Sequence, residues 1–110
     1  MLCRVLMSQL LTIGRCVDGD SVALNLHGDI DLYSAPLLDD ALRDAERSHP
    51  VRIVIDCSEL DFIDSSGLSV LIEAQRRADE RGHALVLSRV PDHAVRILAI
   101  TGLSSRFMFA

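Results

Sequence analysis

Apolar residues along this chain first alternate and then recur at helical spacing, and each change of period marks an element. Residues 10–16 and 21–27 are strand-like. In the second, Val22, Leu24 and Leu26 alternate with Ala23, Asn25 and His27, and Asp18-Gly19 between the two is a hairpin turn signal. An antiparallel pair therefore opens the fold. Ser34 stands as a cap ahead of Pro36, and Leu38, Ala41, Leu42 and Ala45 keep helical spacing up to the stop at His49-Pro50. VRIVID, residues 51–56, is apolar on both faces, as a central strand covered by helices requires. From residue 66 to residue 81, Leu68, Leu71, Ile72, Gln75 and Ala78 trace one helical face, Glu73, Arg76, Arg77, Asp79 and Glu80 lie mostly elsewhere, and Gly82 closes the helix. ALVLS, residues 84–88, is a further buried strand. Pro91-Asp92 starts a third helix through Val95, Ile97, Leu98 and Ile100, and residues 107–109 form a short last strand.

The order strand, strand, helix, strand, helix, strand, helix specifies an α/β domain on a mixed sheet, without linker, repeat or low-complexity segment. Strands joined through helices run parallel, so 21–27, 51–56 and 84–88 end along one edge, where sites in such sheets gather. Two loops are expected there: GDID, residues 28–31, and CSELDFIDSSG, residues 57–67. They bring Asp29, Asp31, Glu59, Asp61 and Asp64 to the same edge as Ser65.

Charge sharpens that picture. Residues 1–64 carry 12 acids and five arginines, a net −7, whereas residues 65–110 carry four and six, a net +2. The total of −5 lacks the clustered basic residues that phosphate contacts need, so no nucleic-acid partner is expected. All 11 basic residues are Arg and none is Lys, which removes Schiff-base chemistry and the lysines of phosphate-binding loops and kinases. Cys3, Cys16 and Cys57 are odd in number and lack C-x-x-C spacing, so neither a disulfide framework nor a zinc site is indicated, and reduced thiols in a cytoplasm are expected. The apolar start MLCRVLMSQLLTI is interrupted by Arg4, Ser8 and Gln9 and falls short of the ~18 apolar residues of a membrane span. Direct membrane insertion is not expected, and Met7 is an alternative start.

Against that background the pair Ser65-Ser66 stands out. A serine where a strand gives way to a helix accepts a first-turn N–H, worth ~1 kcal/mol, and Gly67 lets the backbone turn or pack closely. As a nucleophile the pair is poor, because DSSGL does not match G-x-S-x-G and no feature places a histidine beside it. His27, His49, His83 and His93 have no ligand spacing, so no metal is expected. Asp56 with Asp61 or Asp64 imitates a carboxylate pair, but in a chain of 4% aromatics no substrate platform accompanies it. No enzyme and no cofactor is expected.

GDID at 28–31, IVIDCSELDFIDSSGLSVLIEAQRRA at 53–78 and AVRILAITGL at 94–103 together resemble the STAS domain, and especially its stand-alone bacterial members, the anti-sigma factor antagonists. The most specific parts are D-x-S-x-L-x-F-I-D-S-S-G-L and the late T-G-L. Asp29 replaces the glutamate more usual in the first motif. The resemblance implies a single STAS-like α/β domain over residues 10–110, with a mixed β-sheet, helices packed mainly on one side and an N-terminal antiparallel hairpin. Residues 1–9 are then an N-terminal extension. It further implies that the unphosphorylated protein binds an anti-sigma factor that is also a serine kinase and so frees the sigma factor. Phosphorylation of Ser65 switches binding off, and a serine phosphatase restores it. Asp31, Asp64, Ser65, Ser66 and Gly67 are the implied partner-binding residues, in a cytoplasmic protein. The alternative within the same resemblance is a cytosolic STAS subunit of a membrane lipid-transport complex.

Overall fold

The computed structural model describes residues 2–110. Its elements are β1 (Leu2–Met7), β2 (Leu11–Asp18), β3 (Ser21–Ile30), α1 (Ala35–Glu46), β4 (Arg52–Ile63), α2 (Ser65–Arg81), β5 (Ala84–Ser88), α3 (Asp92–Ile100) and β6 (Met108–Phe109), with a 3-10 turn at Ser104–Arg106. The six strands lie in sequence order in one sheet. The pairs β1/β2 and β2/β3 are antiparallel, and β3/β4, β4/β5 and β5/β6 are parallel. Because every helical crossover steps the same way across the sheet and such connections are right-handed, all three helices fall on one face. Burial follows. Leu11 and Ile13, Val22, Leu24 and Leu26, Ile53 and Ile55, and Leu85 and Leu87 form a core with Leu38, Leu42, Leu71 and Leu98 of the helices. The opposite parity, including Thr12, Gly14, Asn25 and Asp56, is left outside that core. The expected α/β mixed sheet, with an N-terminal antiparallel hairpin and helices on one side, is thus what the chain forms.

Three local expectations change. Residues 2–7, assigned from the sequence to an extension, form the edge strand β1. There Cys3 and Cys16 are direct cross-strand partners with Cα atoms 4.0 Å apart, joined as a disulfide. That corrects the expectation of reduced thiols, which rested on the odd number of cysteines and their lack of C-x-x-C spacing, neither of which registers a cross-strand pair. Residues 28–30 and 57–63, expected as loops, continue β3 and β4 as a pair whose register shifts between Asn25 and His27 and again between Gly28 and Asp29. At Gly28 φ is +114°, and a Cβ there would run into the Leu10 carbonyl, so only glycine lets β2 approach so closely.

The ends of α1 and α2 remote from these strand extensions are tied by buried charge. Glu46, 2% exposed in its side chain, takes Arg77 Nε at 2.8 Å and Nη2 at 2.9 Å, and Arg81 Nη1 at 3.2 Å. Arg77 is itself buried, although its place in the sequence gave it to the polar face.

Candidate functional site

The carboxyl ends of β3 and β4 stay hydrogen-bonded to the last residue, and one bond beyond them carries the site: the Asp64 N–H donates to the Ile30 carbonyl at 3.1 Å. The segments leading into α1 and α2 are therefore side by side, and each begins with an aspartate used as a local clamp. Asp31 Oδ1 accepts from the Tyr33 N–H at 2.9 Å and the Ser34 N–H at 3.0 Å. Ser34, buried, is a clamp member rather than a side-chain cap, since its hydroxyl donates to the Asp29 carbonyl at 2.7 Å.

The N-cap of α2 is Asp64, not a serine. Its backbone is extended (φ −110°, ψ −170°), and Oδ1 accepts from the N–H groups of Ser66 at 2.8 Å and Gly67 at 3.3 Å, while its carbonyl takes the Leu68 N–H at 3.0 Å. Ser65 is thus the first helical residue. It is exposed, and its carbonyl accepts the Ser69 hydroxyl at 2.9 Å. Ser66 is half-buried and Gly67 buried. A Cβ on Gly67 would lie 2.6 Å from Ile30 Cγ2 and 2.8 Å from Ile63 Cγ1, so the glycine sets how closely the start of α2 sits on β3 and β4.

The expected acids do not all meet. Asp61 and Asp64 precede Ser65 in the chain, Asp29 and Asp31 lie at the adjoining end of β3, and among the described residues none of the four is in an ion pair. Glu59 belongs instead to a separate polar cavity of about 180 Å³, where it lies 3.4 Å from His27, and Asp56 pairs with Arg89. Burial opposes the charge on Asp56, but the Arg89 and Ser58 hydrogen bonds outweigh it and hold the carboxyl below the usual range. Asp56 and Asp64 are therefore committed to different partners, and the carboxylate pair that spacing suggests is not formed. His93 is likewise engaged, with Nε2 2.9 Å from the Leu60 carbonyl. Among the described residues no group of His, Cys, Asp and Glu is arranged to hold a metal, and no helix is long and apolar enough to cross a membrane.

Sequence reasoning missed the apolar part of this surface. Leu32 is 67% exposed, Tyr33 84% and Phe62 47%, all within three residues of Asp31 or Asp64. Tyr33 also faces the β1–β2 turn across a cavity of about 310 Å³ lined by Ser8, Gln9, Leu10 and Ser34. The signal available was LY directly after GDID, two large apolar residues in a segment with no strand or helix to bury them.

A family model described as "Mlab, STAS domain" matches residues 14–108. The chain belongs to the STAS domain family. This STAS domain is 34% identical over 87 residues to the anti-sigma-B factor antagonist of Listeria monocytogenes, covering 79% of the chain and 76% of the relative. To the anti-sigma-B factor antagonist of Bacillus subtilis it is 32% identical over 85 residues, with 76% of each chain covered. Among solved structures it matches an anti-sigma factor antagonist from Mycobacterium paratuberculosis with a TM-score of 0.78 at 25% identity, over 94% of this chain and 89% of that one. The two strand ends and the helix start at Ser65 lie within the matched residues 14–108.

Proposed function

We propose that this STAS domain is an anti-sigma factor antagonist whose binding is switched by charge at Ser65. In the unphosphorylated form the surface around Ser65 binds an anti-sigma factor that is also a serine kinase, and the sigma factor is released. Transfer of the ATP γ-phosphoryl group to Ser65 Oγ ends that binding, and a serine phosphatase reverses the transfer. The domain is a cytoplasmic binding module and not itself an enzyme. The curated relatives of this length are named for antagonism of an anti-sigma factor, which favours this reading over a subunit of a membrane lipid-transport complex.

The observation that carries the proposal is Ser65 exposed at the first position of α2, while the amides that would receive an anion there are already held by Asp64. A phosphate adds about −1.5 to −2 charge at the end of the helix that tolerates it. In the free domain water solvates it. In an interface it is stripped of water beside Asp64, which among the described residues is in no ion pair, at a cost on the order of 2–5 kcal/mol. At about 1.4 kcal/mol per tenfold, affinity falls about 30-fold to a few thousandfold. Leu32, Tyr33 and Phe62 supply the apolar contact, and Asp31, Asp64, Ser66 and Gly67 shape the surface.

The test is binding of the cognate anti-sigma factor by calorimetry, with phosphosite mapping by mass spectrometry after incubation with that kinase and ATP. Ser65→Ala is expected to bind like the wild type and to take no phosphate, and Ser65→Glu to bind at least about 30-fold more weakly. Phosphate on Ser66, or recovery of only transporter subunits when Ser65→Ala is used as bait in the native cytoplasm, overturns the proposal.

A further inference from the structure

We propose that Cys3 and Cys16 are a reversible thiol–disulfide site, exchanging with low-molecular-weight thiols and disulfides of the glutathione class, and that its redox state sets how firmly the β1–β2 hairpin is held against the Tyr33 loop. This holds whichever partner Ser65 serves.

The two cysteines are register partners, with Cα atoms 4.0 Å apart at the close spacing of non-hydrogen-bonded antiparallel pairs. Leu11, Ile13 and Arg15 of β2 face the helices, Arg15 through its 3.1 Å pair with Asp44 of α1, so Cys16 has the opposite parity and lies with Cys3 on the helix-free face. Cys3 is exposed and Cys16 half-buried, within reach of a small thiol. Exposed disulfides are the labile kind, and in reducing compartments such bonds are transient. The third cysteine does not compete. Cys57 is buried against α2 and α3, where burial first and Asp56 second push its thiol up to about 12.

Oxidation proceeds by thiol–disulfide exchange. A Cys thiolate attacks the small disulfide, giving a mixed disulfide and one free small thiol; the second Cys then displaces the other small thiol. Two protein thiols are oxidised, one small disulfide is reduced to two thiols, and their protons pass to those products.

The mechanical effect follows from how little else holds β1. It is an edge strand, paired on one side only, and among the described residues its ties to α1 are the exposed Arg4–Asp44 pair at 3.3 Å and partial packing of Leu6. Its far end is the turn that meets the site. Ser8 N–H donates to the Leu11 carbonyl at 2.8 Å, the Leu10 carbonyl accepts from Asp29 N–H at 2.9 Å, and Ser8, Gln9 and Leu10 wall the cavity beside Tyr33. A cross-link between positions 13 residues apart removes open states of the hairpin, and its loss lets β1 detach locally without global unfolding.

The experiment uses the purified full chain in glutathione buffers of set ratio, read by native-state alkylation with mass spectrometry and by hydrogen exchange. Under excess oxidised glutathione, Cys3 and Cys16 are expected to resist alkylation; under reduced glutathione both are labelled, with Cys57 protected throughout. Reduction is expected to speed exchange of the β1 amides about tenfold or more and to loosen residues 8–10 and 32–34 with them. Cys3→Ser and Cys16→Ser should each exchange at the fast rate in both buffers, and Cys57→Ser should behave as the wild type. Thiols that stay alkylatable under excess oxidised glutathione, bonds formed only between chains, or a disulfide that leaves exchange at residues 2–10 and 32–34 unchanged would each overturn the proposal.

Discussion

Replacing Glu46 by alanine strips Arg77 of both its charged contacts, and the geometry says what that costs. Arg77 donates Nε and Nη2 to the two carboxylate oxygens at 2.8 and 2.9 Å, its side chain is 8% exposed, and Nη1 is already buried without a partner. Removing the carboxylate leaves a whole guanidinium in the interior without a hydrogen-bonded partner and with only the longer-range field of Asp39 and Glu73, a loss of about 3–5 kcal/mol. Arg81, half exposed, turns to water and adds little. The contrast is Arg76–Glu73, shorter at 2.6 Å but 57% and 51% exposed. Exposure rather than distance decides, and Glu73→Ala should leave the stability close to that of the wild type.

Urea denaturation followed by circular dichroism measures both. With a slope near 2 kcal/mol/M, Glu46→Ala lowers the midpoint by about 2 M. The double variant Glu46→Leu with Arg77→Leu removes both charges and is expected to return to within about 1 kcal/mol of the wild type, since an apolar pair avoids the desolvation that the ions must overcome. A cost below about 1 kcal/mol for Glu46→Ala, or single-variant losses that simply add in the double, would refute the reasoning.

The other predictions are local to the site or to pH. Gly67→Ala forces Cβ against Ile30 and Ile63; overpacking of about 1–3 kcal/mol, reduced by up to about 1 kcal/mol of helix propensity, leaves a net loss that urea titration should detect, and a variant as stable as the wild type contradicts the close contact. Asp64→Ala should lose about 1 kcal/mol as a broken cap, while Asp64→Asn keeps an acceptor and most of the stability; equal losses would mean Asp64 is not the cap. Burial pushes the His83 pKa down, with Arg81 and Arg77 adding to it against Glu46. The unfolded chain therefore binds the proton more readily below about 6.5, and stability falls as pH drops through that region. Between pH 7 and 5 the wild-type melting temperature should fall further than that of His83→Gln, and parallel curves would remove His83 as the cause.

Element order was legible because each period is sustained over several residues: Val22, Leu24 and Leu26 for a strand, Leu38, Ala41, Leu42 and Ala45 for a helix, all found buried. The edge was harder for definable reasons. Two register shifts between β3 and β4 break the alternation within β4, so Leu60 is buried while Glu59 and Asp61 are exposed, opposite to the parity set by Ile53, Ile55 and Cys57. Asp, Ser and Asn cap about equally well, so D-S-S offers three N-caps, and the choice of Asp64 depends on Gly67 meeting Ile30 and Ile63 from another strand. Arg77 was unreadable because a lone arginine at a helical position is buried only when a distant Glu46 faces it. The Cys3–Cys16 pair was hidden because β1 lacks the alternation that marks β3.

The D-S-S choice also separates the two serines by what each would disturb. Ser66 gives its N–H to the cap and is half-buried, so a charge added there presses on the bond that starts α2. Ser65 lies outside the cap's two amides and is exposed, so a charge added there meets water in the free domain. Ser65→Glu should then change stability by no more than about 0.5 kcal/mol, the range of surface substitutions, whereas Ser66→Glu should lose about 1 kcal/mol or more. That separation is what a binding switch requires, because a modification that also loosened the fold would reduce binding to every partner alike. If Ser65→Glu destabilised the domain as much as Ser66→Glu, weaker binding would report unfolding, and the charge mechanism would lose its support.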